Sequence, residues 1–133
     1  YYRFMAEHGL RVRPNYVFHQ SFNQDEFNTA LDRMFADAPT AVIVPCPMLV
    51  PFYQYCAANK IVIGKDISLT SFERHTEFSL TPEPVSMISN ITEIAAMVFD
   101  QLMLTGAEER RKSIISPPGV LYPGKSVAQL NNI

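Results

Sequence analysis

Cysteine is scarce, basic charge is not in excess, and no apolar run is long; each shortage removes a class of protein. The two cysteines, Cys46 and Cys56, have neither a Cys-x-x-Cys pair nor a Cys/His cluster around them. A disulfide framework and a zinc ligand set are therefore not expected, and buried free thiols are. His8, His19 and His75 are scattered, without carboxylate or thiol neighbours at ligand spacing, so no metal or other cofactor is expected. Lys and Arg number 11 against 13 Asp and Glu, a formal net charge of -2, which offers a phosphate backbone no basic face. The longest apolar stretches, such as Ala41 to Val44 and Ile94 to Phe99, are too short to span a bilayer. The chain starts on Tyr1 with no charged start and apolar h-region behind it, so the true N-terminus and any signal peptide are expected outside it.

What is present suits one modest globular unit. Hydrophobic residues make up 47% and charged residues 18% of 133, far from the profile of a disordered chain and enough for a single core.

The chain alternates helical and extended patterns. Tyr1 to His8 reads as the last turns of a helix with Phe4 and Met5 inward and Gly9 as its stop. Tyr16 to Phe18 reads as a short strand after Pro14. Asn23 with Glu26 forms a capping-box signature for a helix whose Phe27, Leu31, Met34 and Phe35 share a face, ended by Pro39. Ala41 to Val44 is wholly apolar, as in a parallel strand covered on both faces. A helix over about Met48 to Ala58 follows, strained at its start by Pro47 and Pro51. The Gly64-Lys65-Asp66 turn leads to a strand over Ser68 to Phe72, and Glu73 to Pro84 reads as a connection crossing between structural units. Ser86 to Ile88 is strand-like. Asn90 with Glu93 caps a helix whose Ile91, Ile94, Ala95, Val98 and Leu102 form a core-facing stripe, ended by Gly106. Glu108 to Lys112 is a charged turn, and Ser113 to Ser116 with Val120 to Tyr122 is the last extended segment. Such alternation predicts an α/β fold, a parallel sheet with helices on its faces.

One motif matches a catalytic pattern. Gly119 to Ser126 spells the phosphate-loop signature G-x-x-x-x-G-K-S. That chemistry needs a following helix and free backbone amides. Seven residues after Ser126 leave no room for the helix, and Pro123 has no amide hydrogen to give. Nucleotide binding is not expected. Asn90-Ile91-Thr92 is a glycosylation sequon that falls on the helix cap.

Pro39-Thr40-Ala41-Val42-Ile43, then Lys65 to Glu73, then Gly119 to Ala128 resemble, in order and spacing, three segments of the effector-binding domain of the lactose/galactose repressor (LacI/GalR-type) family. The resemblance covers nearly the whole chain. It implies a type I periplasmic-binding-protein-like fold, a parallel-sheet three-layer sandwich, of which this is the C-terminal part. It places residues 1–84 and 113–126 in the C-terminal lobe and 85–112 in the segment returning to the N-terminal lobe. The other lobe, a DNA-binding head and the first strand of this lobe would precede Tyr1.

Ligands of two-lobed α/β folds sit outside the carboxyl ends of the strands. The resemblance therefore names Phe22, Cys46, Pro47, Phe72, Glu73, Arg74 and Ser89 as candidate ligand contacts. Several depart from the family pattern. Pro47 stands where an aspartate usually accepts bonds from ligand hydroxyls, Ser71 and Glu73 replace a glycine and an aspartate around Phe72, and Ser89 replaces a glutamine. A sugar effector and a different, more apolar small molecule both remain open, and Glu73 and Arg74 equally read as surface charges. The resemblance also implies a cytoplasmic homodimer with Phe52, Tyr53 and Tyr55 as interface anchors, although these aromatics read as well as core. The function it implies is ligand sensing and dimerisation in a transcription regulator that reaches DNA only through the absent head. The alternative is an exported solute-binding protein of the same fold. No catalytic residue is named.

Overall fold

A computed structural model describes residues 1–18, 23–74, 79–88, 91–103 and 119–128. The order is α1 (Tyr2–Glu7), a 3₁₀ turn (Pro14–Tyr16), α2 (Gln24–Ala36), β1 (Ala41–Ile43), a 3₁₀ turn (Cys46–Met48), α3 (Leu49–Ala58), β2 (Ser68–Ser71), β3 (Val85–Ile88), α4 (Ile91–Met103) and β4 (Val120–Tyr122).

The strands form one sheet in the order β1-β2-β3-β4. β1 pairs parallel with β2 in register Val42 to Leu69, β2 parallel with β3 in register Ser71 to Ser86, and β4 closes antiparallel on β3 with Ser86 opposite Tyr122. The fold is thus the α/β, parallel-dominated arrangement expected from the alternation, with its last strand reversed.

α2 is built as its sequence dictates. Asn23 caps it by accepting the Asp25 amide at 2.9 Å, and Asp25 and Glu26 in the first turn with Arg33 in the last match the helix dipole. Its Phe27, Leu31 and Met34 are buried. α3 follows a 3₁₀ lead-in and holds Pro51 in its first turn, where an amide would lack an intrahelical partner anyway. It buries Leu49, Phe52, Tyr55 and Cys56. These two helices meet Val44, Ile63, Ile67 and Leu69 in one core. Phe52, Leu31, Leu49, Ile67 and Leu69 are essentially inaccessible, each such burial contributing about 1.5–3 kcal/mol.

Four sequence expectations are corrected. Tyr16 to Phe18 is not a strand: Pro14 to Tyr16 form a 3₁₀ turn, Tyr16 bonding back to Arg13, and Val17 is extended without a ladder partner among the described residues. β1 is not covered on both faces. Val42 shares the core face with Leu69, but Ala41 and Ile43 point to the other face, where Ile43 is 58% exposed. Phe4 does not face inward; it is exposed and stacks on His8, while Gly9, at φ 64, closes α1 as expected.

The stripe on α4 is helical, but its Ile91, Ala95 and Val98 are exposed and Ile94 is half-buried. Phe99 and Met103, outside the stripe, are exposed too, with nothing among the described residues covering them. The expected helix stop at Gly106, the turn at Glu108 to Lys112 and the segment Ser113 to Ser116 lie outside the described residues.

Candidate functional site

Because β1 and β2 are adjacent and parallel, the loops leaving their carboxyl ends are neighbours. The first carries Cys46 and Pro47, the second Phe72, Glu73 and Arg74. Five of the seven candidate contacts therefore fall at one end of the sheet, Cys46 half-buried and Pro47, Phe72, Glu73 and Arg74 exposed. Phe22, Ser89 and the capping residue Asn90 lie outside the described residues.

A groove of about 550 Å³ starts at this end and continues along the free edge of β1. Pro45, Met48 and Phe72 line its end, Ala41 and Ile43 its floor, and Phe18 its far wall. Its lining is overwhelmingly apolar. Cys46 and Pro47 stand beside it rather than in it. The sequence reading missed Tyr16, Val17 and Phe18 as lining because their β-forming character was read as a ladder strand. Phe27 and Met34 were legible only as core.

Arg74 differs from its loop neighbours. Its Nη2 donates to Glu83 Oε1 at 3.0 Å and to the Tyr122 hydroxyl at 3.2 Å, and its guanidinium carbon lies 4.0 Å from the centre of the Tyr122 ring. Tyr122 in turn donates to Glu83 Oε2 at 2.8 Å. The bonds from Tyr122 and Arg74 hold the Glu83 carboxyl below its ordinary range, and the bond to Glu83 pushes the Tyr122 phenol up.

The candidate interface aromatics separate. Phe52 is fully buried and Tyr55 nearly so, hence both fill the core of this chain. Tyr55 donates to Asp32 Oδ1 at 2.7 Å; burial first, and that carboxylate second, push its phenol well up. Tyr53 is half-buried and donates to the Pro82 carbonyl, and burial, with Cys56 and Glu83 nearby, raises it to about 12. Tyr53 alone of the three borders an outer hollow, together with Val50, Gln54 and Leu80 to Pro82. Burial also raises Cys56 to about 11, and neither cysteine is in a disulfide.

The residues of the phosphate-loop spelling do structural work instead. Ser126 is buried, donates to the Leu69 carbonyl at 2.6 Å and accepts the Val85 amide at 2.8 Å. A Cβ on Gly124 would lie 2.4 Å from the Pro84 carbonyl carbon and oxygen. The tail is thus threaded between β2 and β3, and the Ser126 hydroxyl, its proton and one lone pair spent on these strands, is too buried to meet a phosphate-bound cation. Among the described residues no His, Cys, Asp or Glu group is gathered to hold a metal, and no helix is long and apolar enough to cross a membrane.

A sequence profile of the periplasmic binding protein-like domain matches residues 1–127. No curated protein sequence matches the chain. Among solved structures, a sugar-binding LacI-family transcriptional regulator from Escherichia coli, complexed with phosphate, is 14% identical over 96% of this chain and 48% of its own, with TM-score 0.68. A LacI-family regulator from Mycobacterium smegmatis is 18% identical over 96% and 50%, TM-score 0.68. One from Bifidobacterium animalis subsp. lactis is 20% identical over 96% and 47%, TM-score 0.68. The chain spans about half the length of these solved chains.

Proposed function

The chain belongs to the periplasmic binding protein-like domain family, and from that premise we propose that it is the C-terminal part of the sensor of a cytoplasmic transcription regulator, working as part of a longer polypeptide. Residues 1–84 and 113–126 form the C-terminal lobe together with β3, which lies in its sheet, so the return to a second lobe begins after Ile88 rather than at residue 85. The observation that carries this is the convergence of the loops after β1 and β2 at one open end of a parallel sheet, where ligands of α/β folds sit. The solved neighbours are transcription regulators, which supports this reading over that of an exported solute-binding protein.

The same reading explains both uncovered apolar surfaces. The first strand of the lobe fills the groove along β1 and uses its free ladder edge, and the second lobe packs on Ile91, Val98, Phe99 and Met103 of α4. Cleft closure on a small effector then alters the spacing of DNA-binding heads carried elsewhere in a homodimer. No bond is made or broken in this cycle.

The Escherichia coli neighbour is described as sugar-binding, but the loop beside this groove presents Pro47, with neither charge nor donor, next to Cys46. We therefore assign a ligand less dependent on hydroxyl contacts, held against Phe72 with Glu73 as its polar partner. A thermal-shift screen of the chain, alone and joined to an opposing lobe, tests this. One compound should stabilise the joined form by about 2.7 kcal/mol at a hundredfold excess over Kd and so raise its melting temperature, and Phe72→Ala should abolish the shift. No shift from sugars, sugar phosphates or apolar metabolites at millimolar concentration would refute the reading. Tyr53, the one surface aromatic of the three, is the assigned dimer contact, so Tyr53→Glu should shift sedimentation from dimer to monomer.

A further inference from the structure

Arg74 leaves β2 three residues after its last strand residue, in the loop that presents Phe72 and Glu73. Its side chain spends its hydrogen bonds on segments far away in sequence: Glu83 stands two residues before β3, and Tyr122 ends β4. Nε and Nη2 both reach Glu83 Oε1, at 3.4 and 3.0 Å, while Glu83 Oε2 accepts from Tyr122. Every side of this triangle is closed, because the guanidinium also lies over the Tyr122 ring. The Glu83 carbonyl accepts the Lys125 amide at 2.7 Å, so the corner opposite Arg74 is itself pinned to the tail.

β2 and β3 share only two register pairs, Thr70 with Val85 and Ser71 with Ser86. The triangle adds a side-chain tie from the loop after β2 back to the segment just before β3. β3 is also the strand that leads into α4, and β4 is the strand that follows it in the sheet.

We propose that Arg74 is a positioning residue rather than a ligand contact, latching the loop of Phe72 and Glu73 to the β3–β4 pair. For its role in sensing, the inference rests on the function proposed above; the latch itself does not. Arg74 and Glu83 are each about two-fifths exposed, 39% and 41%, so the latch is weak and sensitive to salt, which suits a contact that must loosen when strands move. Lys125 acts on Glu83 from the tail side, and Tyr53 faces it from α3.

The chain has no tryptophan, so Phe72→Trp supplies a single fluorescent reporter in the loop. Acrylamide quenching and anisotropy of this residue are compared in the reporter parent, Arg74→Ala, Arg74→Lys, Glu83→Gln and the Arg74→Ala/Glu83→Gln double variant. Quenching should rise about twofold in either single variant, with lower anisotropy, and rise no further in the double one, because one triangle is broken in all three cases. Arg74→Lys should fall between, keeping charge but losing the planar stack. Raising salt to about 0.5 M should reproduce the release in the unsubstituted cluster, which decides the matter even if a variant fails to fold. Unchanged quenching in the single variants and under salt, or effects that add in the double variant, would overturn the latch. No effector enters the experiment, so a failure to find one bears on the proposed function alone.

Discussion

Ser126→Ala separates the structural reading of the tail from the nucleotide chemistry its spelling suggests. The Ser126 hydroxyl is inaccessible and bridges two neighbouring strands, from the Leu69 carbonyl to the Val85 amide. Alanine removes both bonds, each worth about 0.5–1.5 kcal/mol net, and strands a partly buried amide at a cost of about 1–3 kcal/mol. These terms overlap, so the expected loss is roughly 2–4 kcal/mol. Unfolding entropy of about 2.1 cal/mol/K per residue over a chain of this size converts that to a fall in Tm of about 7–14 °C. Circular dichroism melts of parent and variant measure it, and the parent melt with millimolar ATP and magnesium should show no protection. A variant that melts within about 2 °C of the parent, or a parent stabilised by nucleotide, would refute the bridge and revive the phosphate loop.

Gly124→Ala should be more severe than Ser126→Ala, since the new Cβ meets backbone atoms of Pro84 at 2.4 Å that cannot move aside; a soluble chain with a parental melt would contradict the threading of the tail. Ser71 and Ser86 are register partners whose hydroxyls are buried without hydrogen-bond partners, so Ser71→Ala and Ser86→Ala should leave Tm equal or raise it, the opposite of Ser126→Ala, because an unpaired buried hydroxyl costs about 1–3 kcal/mol. The open groove should bind a hydrophobic dye such as anilinonaphthalene sulfonate in the folded chain, and Ile43→Lys, at a floor position 58% exposed, should cut that binding without lowering Tm. Cys56, pushed by burial from 9.0 to about 11, holds its proton more tightly folded than unfolded. Stability is therefore independent of this thiol below about pH 9 and falls as pH climbs from there toward 11, where the unfolded state alone ionises. Tyr53, raised from 10.0 to about 12, adds a loss in the same direction at slightly higher pH. Alkaline melts that rise in that window would contradict the burial of both.

Which elements were legible follows from how local their causes are. α2 was readable end to end because its cap, dipole charges and buried stripe are all written within Asn23 to Pro39. The strand at Ala41 was readable from its run, but its exposure was not, since coverage depends on neighbours that no local pattern specifies. Tyr16 to Phe18 failed for a related reason. Three β-formers make a ladder only when laid against a strand edge; here a groove separates them from the free edge of β1, and Pro14 with the bond from Tyr16 back to Arg13 bends them into a turn. In the site, Phe72 and Glu73 were located by their position after an apolar strand. The role of Arg74 was not, because its partners lie 9 and 48 residues on and nothing short of the fold brings them together. Ser126 shows the converse error, a perfect local spelling whose hydroxyl is consumed by strands far back in the chain.

The distribution of exposed apolar surface carries a step beyond any one site. Scattered apolar side chains on a surface are ordinary, but here one group, Ile43, Met87 and Leu121, shares the sheet face turned away from Val42 and Leu69, and another, Ile91, Val98, Phe99 and Met103, lies along α4. An open sheet face and an uncovered helix are places that take another layer. The opposite side of the sheet, under α2 and α3, is packed to near-zero exposure. A chain with a poorly encoded core would spread its exposure evenly; this one is finished on one side and open on the other, as half of a clamp should be. Supplying an apolar strand in trans should therefore do two things at once, displace dye from the groove and raise Tm, whereas a chain that is complete in itself would show neither response.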